Sequence, residues 1–201
     1  MNLVIIAGMT CSGKSTALKY LTENYKIDPI ISYTTRPMRN GEVDGVDYHF
    51  VDESTFKIMD GAAKFLETTS YKQKDGAVWR YGTLKSDYYG CRTKAIILNP
   101  QGIAGLLGIK MNSELLFEIL YLTVPEHSAK YRYLITRDLS GDTIPDSKEE
   151  ELKMRLIRDR NDFFNFKETF NCYEISNGSS LTNFYTELDI YAITYLHLER
   201  R

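Results

Sequence analysis

The sequence predicts an α/β fold in which a parallel sheet is flanked by helices. Three adjacent features carry that reading: a short β-branched run, a glycine-rich turn, and a stretch of helical apolar spacing. Residues 2–7 are apolar and bounded by Gly8, the pattern of a strand buried on both faces. Beyond the turn, Leu18, Leu21 and Tyr25 recur at helical spacing over residues 15–25.

The remaining elements follow in order. Residues 33–88 are broken by Gly41, Gly45, Gly61, Gly76 and Gly82 into short aromatic and β-branched pieces, which read as turns and hairpins with one helix near residues 53–61. Residues 95–98 return to a buried-strand pattern, and residues 118–124 form another candidate strand. Residues 129–160 carry 15 ionisable side chains among 32, and Ser147 with Glu150 has the spacing of a capping box that starts a helix. In that helix Leu152, Leu156 and Phe163 form a stripe, with Arg155 and Arg158 on one flank and Arg160 on the other. Residues 172–176 read as a last strand. Leu181, Phe184, Tyr185, Leu188, Tyr191 and Tyr195 outline the apolar face of a C-terminal helix.

With 201 residues, 43% hydrophobic and 26% charged, the chain is of globular composition and of a size for one domain. No apolar run approaches the roughly 20 residues of a membrane span, and no signal peptide is visible. A net charge of −2 offers no general attraction to nucleic acid. Cys11, Cys91 and Cys172 are scattered and odd in number, the usage of a reducing, cytoplasmic compartment rather than of a disulfide framework or a zinc site.

Chemistry enters with Gly8-Met9-Thr10-Cys11-Ser12-Gly13-Lys14-Ser15, followed by Thr16, which fits G-x-x-x-x-G-K-[ST] between a strand and a helix. Such a loop turns successive backbone N–H groups toward phosphate oxygens, and the helix N-terminus adds partial positive charge. Lys14 supplies a cation at the β- and γ-phosphates, and the Ser15 hydroxyl is placed to ligate Mg²⁺. The expected ligand is a nucleoside triphosphate. The loop by itself leaves kinases, GTPases, motors and ATPases open.

The block Ser32-Tyr33-Thr34-Thr35-Arg36-Pro37-Met38-Arg39-Asn40-Gly41-Glu42, continuing through Gly45, Tyr48 and Phe50, resembles the signature of guanylate kinases. The resemblance runs on through Phe65-Leu66-Glu67, Tyr81-Gly82-Thr83, Gln101-Gly102, the arginines of the charged segment and Asn177. It implies a P-loop NTPase core (residues 1–32, 93–128 and 161–201), a nucleoside-monophosphate-binding insertion (33–92) and a lid (129–160). It implies transfer of the γ-phosphoryl group of Mg²⁺–ATP to GMP or dGMP. Arg36, Arg39, Tyr48 and Tyr81 would hold the acceptor phosphate, and Ser32, Glu67, Thr83 and Asn99 would face the acceptor nucleoside. Arg132, Arg137 and Asn177 would join the loop at ATP, and Lys14, Arg36, Arg137 and Arg155 would balance the charge of the transferring group; Arg158 and Arg160 are weaker matches.

The residue chemistry fits those roles. Arg36 and Arg39, stiffened by Pro37, can present two guanidinium forks to one phosphate; the plain alternative is ion pairing with Glu42 or Asp44. An ionised Glu67 can accept both N1–H and the exocyclic amine of guanine, whereas adenine leaves a buried carboxylate unpaired. Three features depart from the family pattern. Asn99 stands where an aspartate is usual, the stretch between Glu67 and Tyr81 is longer than usual, and Cys11 replaces a usual glycine. These keep two other readings open: a kinase with a shifted acceptor, such as other deoxynucleotides or a sugar phosphate, and a non-catalytic interaction module of the same fold.

Overall fold

A computed structural model describes residues 2–73, 76–108, 116–136 and 146–201. The core is a five-stranded parallel sheet in the order β2-β7-β1-β8-β9. Its strands are β1 (Asn2–Gly8), β2 (Ile27–Pro29), β7 (Thr93–Ile97), β8 (Leu116–Thr123) and β9 (Tyr173–Ser176). β1 is central, and its alternation explains the unbroken apolar run. Val4 and Ile6 pack on one face with α1 (Lys14–Asn24) and α7 (Leu181–Ile190), through Ala17, Leu21, Phe184 and Leu188. Leu3, Ile5 and Ala7 pack on the other with Ile103 and Leu106 of α3 (Pro100–Gly108) and Phe166 of α6 (Phe166–Thr169).

A second sheet, in the order β4-β3-β6-β5, lies wholly between residues 33 and 84: β3 (Tyr33–Thr34), β4 (His49–Phe50), β5 (Phe65–Lys72) and β6 (Val78–Leu84). It packs on α2 (Glu53–Gly61), whose first turn is capped by Asp52 accepting the Thr55 N–H at 2.6 Å. Gly82 is not a turn residue, as the glycine pattern suggests, but an interior residue of β6. A Cβ there would come within 3.0 Å of the Phe65 ring and 3.1 Å of Phe56, so the missing side chain makes room for the Phe56–Phe65 stack.

The charged segment contributes α4 (Glu126–Thr136) and α5 (Asp146–Asp162). Leu152 and Leu156 of α5 are buried against Tyr133 of α4 and against Cys11, while Phe163 lies just past the helix and joins the main core. Three expectations change. The sequence reading placed no helix at α3, although Asn99 followed by Pro100 is an N-cap with proline at the first helical position. Leu181, expected on the apolar face, is 56% exposed. In the C-terminal helix the 3.6-residue period fails at Tyr191, where a π turn joins the Leu196 N–H to the Tyr191 carbonyl. Leu196 is thereby buried in place of Tyr195, which is 52% exposed.

Candidate functional site

The phosphate loop leaves β1 at Gly8 and enters α1 through Gly13, whose φ of 95° lies in the left-handed region. A Cβ on Gly13 would stand 2.4 Å from Asn177 Nδ2, so this glycine answers both to conformation and to contact. Asn177, buried at the end of β9, donates to the Ser12 carbonyl at 2.9 Å. It accepts from Arg132 of α4 at its own carbonyl (2.8 Å) and at Oδ1 (3.1 Å), and Arg132 also reaches the Cys11 carbonyl at 3.4 Å. Two residues that are 45 positions apart thus clamp the loop together. Cys11 holds φ at 61°, a conformation that suits the glycine usual there.

Lys14 donates to the carbonyls of Gly8 and Met9, both at 2.8 Å. Burial pulls its ammonium below the ordinary lysine range, opposed by the charges of Asp159 and Cys11. Ser15 and Thr16 are exposed on the first turn of α1. Asp159 of α5 accepts the Thr10 N–H at 2.5 Å, bringing a carboxylate onto the loop that the sequence reading did not anticipate. Arg155 pairs with Glu151 at 3.0 Å on the same helix, and Arg160 turns away to Glu126. Arg137 lies outside the described residues.

Facing the loop across a cleft of about 830 Å³ stand the second sheet and the turn after β3. The lining includes Thr10, Arg36, Arg39, Tyr71, Trp79, Tyr81, Arg155, Arg158 and Asp159. Local hydrogen bonds shape the turn. The Thr34 hydroxyl accepts the Arg36 N–H at 3.1 Å and donates to the Arg80 carbonyl at 2.9 Å, while Thr35 Oγ1 accepts the Arg80 N–H. Arg36 is 3% exposed and makes a bidentate pair with Glu42 at 2.7 and 2.9 Å. Its guanidinium lies over the rings of Tyr48 and Phe50, at 5.2 and 5.5 Å. Arg39 approaches the same carboxylate at 3.8 Å. Burial alone would raise the Glu42 carboxyl, but bonds from Arg36 and from the Arg39 N–H hold it below the usual range. The ion-pair alternative is therefore partly realised: Glu42 organises both arginines. Its place three residues after Arg39 was the available signal.

Strand alternation puts Glu67, Thr69 and Tyr71 of β5 on one face, opposite Thr83, Tyr81 and Trp79 of β6. Tyr48 meets Tyr81 edge-on at 5.9 Å. At the inner end Glu67 is 8% exposed and accepts from the Thr83 hydroxyl at 2.6 Å, with Ser32 Oγ 3.4 Å from Thr83. Burial pushes the Glu67 carboxyl up to about 7, only partly countered by Thr83. Asn99 caps α3, its Oδ1 accepting the Gly102 N–H at 2.7 Å, and its amide nitrogen donates to the Tyr71 hydroxyl.

A parallel sheet with a lysine-bearing phosphate loop at the end of its central strand defines a P-loop α/β protein. The family model described as guanylate kinase matches residues 1–98. A guanylate kinase of Leifsonia xyli is 43% identical over 83 residues, 41% of this chain and 31% of that protein. One from Zymomonas mobilis is 52% identical over 66 residues, 32% of this chain and 31% of that protein. The matched stretch thus spans about a third of each of these curated relatives. Over those first 98 residues the chain is similar to guanylate kinases. A crystal structure of guanylate kinase from Anaplasma phagocytophilum superposes with a TM-score of 0.58, covering 94% of this chain and 82% of that one at 16% identity, and it extends the likeness in fold beyond the matched residues.

Proposed function

We propose that the protein is an ATP:GMP phosphotransferase, converting Mg²⁺–ATP and GMP, or dGMP, to ADP and the nucleoside diphosphate. The observation that carries this reading is Glu67: a buried carboxylate with one hydroxyl partner, on the same face of β5 as Tyr71, which lines the cleft with Arg36, Arg39 and Tyr81, the last packed edge-on against Tyr48. A guanine edge supplies the two adjacent donors that such a carboxylate lacks, and the arginine end fits a phosphate. The relatives named above are guanylate kinases, which supports the same acceptor.

In this reading the second sheet and α2 form the acceptor-binding insertion, α4 and α5 belong to the lid, and the cytoplasm is the setting. Residues 8–16, Arg132, Arg137 and Asn177 hold ATP. Ser32, Glu67, Thr83 and Asn99 face the base and sugar. No general base is required, because the acceptor phosphate has a second pKa near 6 and is largely dianionic at neutral pH. One of its oxygens forms the new P–O bond to the γ-phosphorus as the bond to the β-bridging oxygen breaks and ADP leaves with the electron pair. Lys14, Arg36, Arg137 and Arg155 offset the charge, and the fold supplies alignment. Among the described residues no group of three or more His, Cys, Asp or Glu side chains could hold a metal. The Ser15 hydroxyl is the ligand the chain offers, which suits a hydrated Mg²⁺ carried largely by phosphates. Held there, the ion would supply positive charge to the transferring phosphoryl group.

The test is a coupled ADP-release assay with Mg²⁺–ATP and each of GMP, dGMP, AMP, CMP, UMP and dTMP. Turnover confined to GMP and dGMP supports the proposal. Broad turnover means a relaxed acceptor site, and no turnover from folded, ATP-binding protein overturns the kinase reading.

A further inference from the structure

Two separate departures from the family pattern meet at one contact. Asn99 stands at the end of β7 in place of an acid, and Tyr71 lies in the lengthened hairpin of β5 and β6. The Gly102 N–H can only donate, so it takes the amide oxygen of Asn99 and turns the nitrogen toward Tyr71. A tyrosine hydroxyl that accepts one bond still has its own proton to donate into the cleft. Burial raises that phenol to about 12, so the proton is in place at neutral pH. The other side of Tyr71 serves α5: the Arg158 guanidinium lies 5.1 Å from its ring centroid, and Tyr81 packs edge-on at 5.9 Å. Tyr71 therefore touches the core at Asn99, the second sheet at Tyr81 and the charged helix at Arg158.

The identity of residue 99 matters for Glu67 as well. The point where a Cβ on Gly102 would stand is 3.1 Å from Asn99 Oδ1 and 3.4 Å from Glu67 Oε2. The two side chains flank one glycine, and an aspartate at 99 would set a second negative charge beside Glu67. Asparagine keeps the cap on α3 without that repulsion and gains an N–H for Tyr71.

We infer that Tyr71 is a positioning residue of the acceptor site, orienting Asn99 through its hydroxyl and seating Arg158 through its ring. This rests on the acceptor reading above and deepens it. The two halves of the side chain have separable consequences. Losing the hydroxyl loosens the acceptor while leaving α5 in place, and losing the ring also unseats the cation that α5 brings.

The experiment compares wild type, Tyr71→Phe and Tyr71→Leu by steady-state kinetics and by melting temperature. Binding is read independently of turnover from Trp79, the single tryptophan, which lines the same cleft in register with Tyr71. Tyr71→Phe should raise the GMP KM and the GMP Kd read from Trp79 emission about fivefold, the value of one ordinary hydrogen bond. It should leave the ATP KM and kcat within about twofold. Tyr71→Leu should add a drop in kcat of about tenfold, and Arg158→Gln should cost much less in that background than in wild type. Unchanged acceptor affinity in Tyr71→Phe, or equal losses for ATP and GMP that track a lowered melting temperature, would overturn the inference. If wild type binds GMP without turnover, the activity proposal falls and the Trp79 titrations still decide this one. If GMP does not bind at all, both fall. Should Tyr71→Leu not fold, Tyr71→Phe and Arg158→Gln carry the test.

Discussion

The carboxylate of Asp159 accepts the backbone N–H of Thr10 at 2.5 Å, joining α5 to the phosphate loop across 149 positions of sequence. In the proposed function that N–H also serves a nucleotide phosphate, so phosphate and Asp159 compete for it. The same carboxylate adds to the burial that lifts its neighbour Asp162, with Arg158 opposing. Asp159→Asn should bind ADP about tenfold more tightly than wild type by calorimetry, since a charge-assisted bond no longer has to be released. Weaker binding would assign Asp159 to the nucleotide-bound state instead.

Glu67 gives a prediction in which stability and selectivity diverge. Its folded-state pKa of about 7 lies above the ordinary glutamate value of 4.5. Between those values the folded state binds more protons than the unfolded one, so this group's contribution falls as pH rises through the window. Glu67→Gln should therefore match wild type in stability at pH 4, below the window, and exceed it at pH 8 by up to ~3 kcal/mol, while losing guanine selectivity. Denaturant melts at the two pH values check the first point and the acceptor panel the second. For wild type, GMP affinity should rise with pH around 7, and Asn99→Asp should move that midpoint upward.

Arg36 and Arg39 should separate cleanly. Arg36→Ala strands the half-buried Glu42 and removes the cation under Tyr48 and Phe50, so it should cost roughly 3 kcal/mol of stability as well as acceptor affinity. Arg39 is more exposed, and Arg39→Ala should raise the GMP KM at least tenfold with a melting temperature within about 2 °C. A large loss of stability in Arg39→Ala would contradict this division.

Asn177 joins the loop to Arg132, and neither end of its amide is spare. Asn177→Ala should weaken ATP binding about tenfold, because the bond to the Ser12 carbonyl and the bond from Arg132 go at once, and leave GMP affinity from Trp79 emission unchanged. Gly13→Ala should be worse in both stability and ATP affinity, since residue 13 holds a left-handed backbone conformation and its Cβ would displace the Asn177 side chain.

Where local patterns decide the structure, the chain could be read directly. The run of Leu3 to Ala7 must be buried on both faces, and the alternation of its side chains between two apolar layers follows from strand geometry alone. The phosphate loop is legible for the same reason, because its glycines, lysine and serine are neighbours in sequence. Helix α3 was equally local and went unread, its signal being an asparagine before a proline. The relations that set the site's electrostatics are of another kind. Asp159 with Thr10, Arg132 with Asn177, Tyr71 with Asn99 and Arg158, and Glu67 beside Asn99 each join segments tens of positions apart or more. No periodicity encodes such pairings. They arise when the packing of α4, α5 and the second sheet against the core removes water from between them, and it is that loss of water that turns Glu67 from an ordinary glutamate into a carboxylate titrating near neutrality.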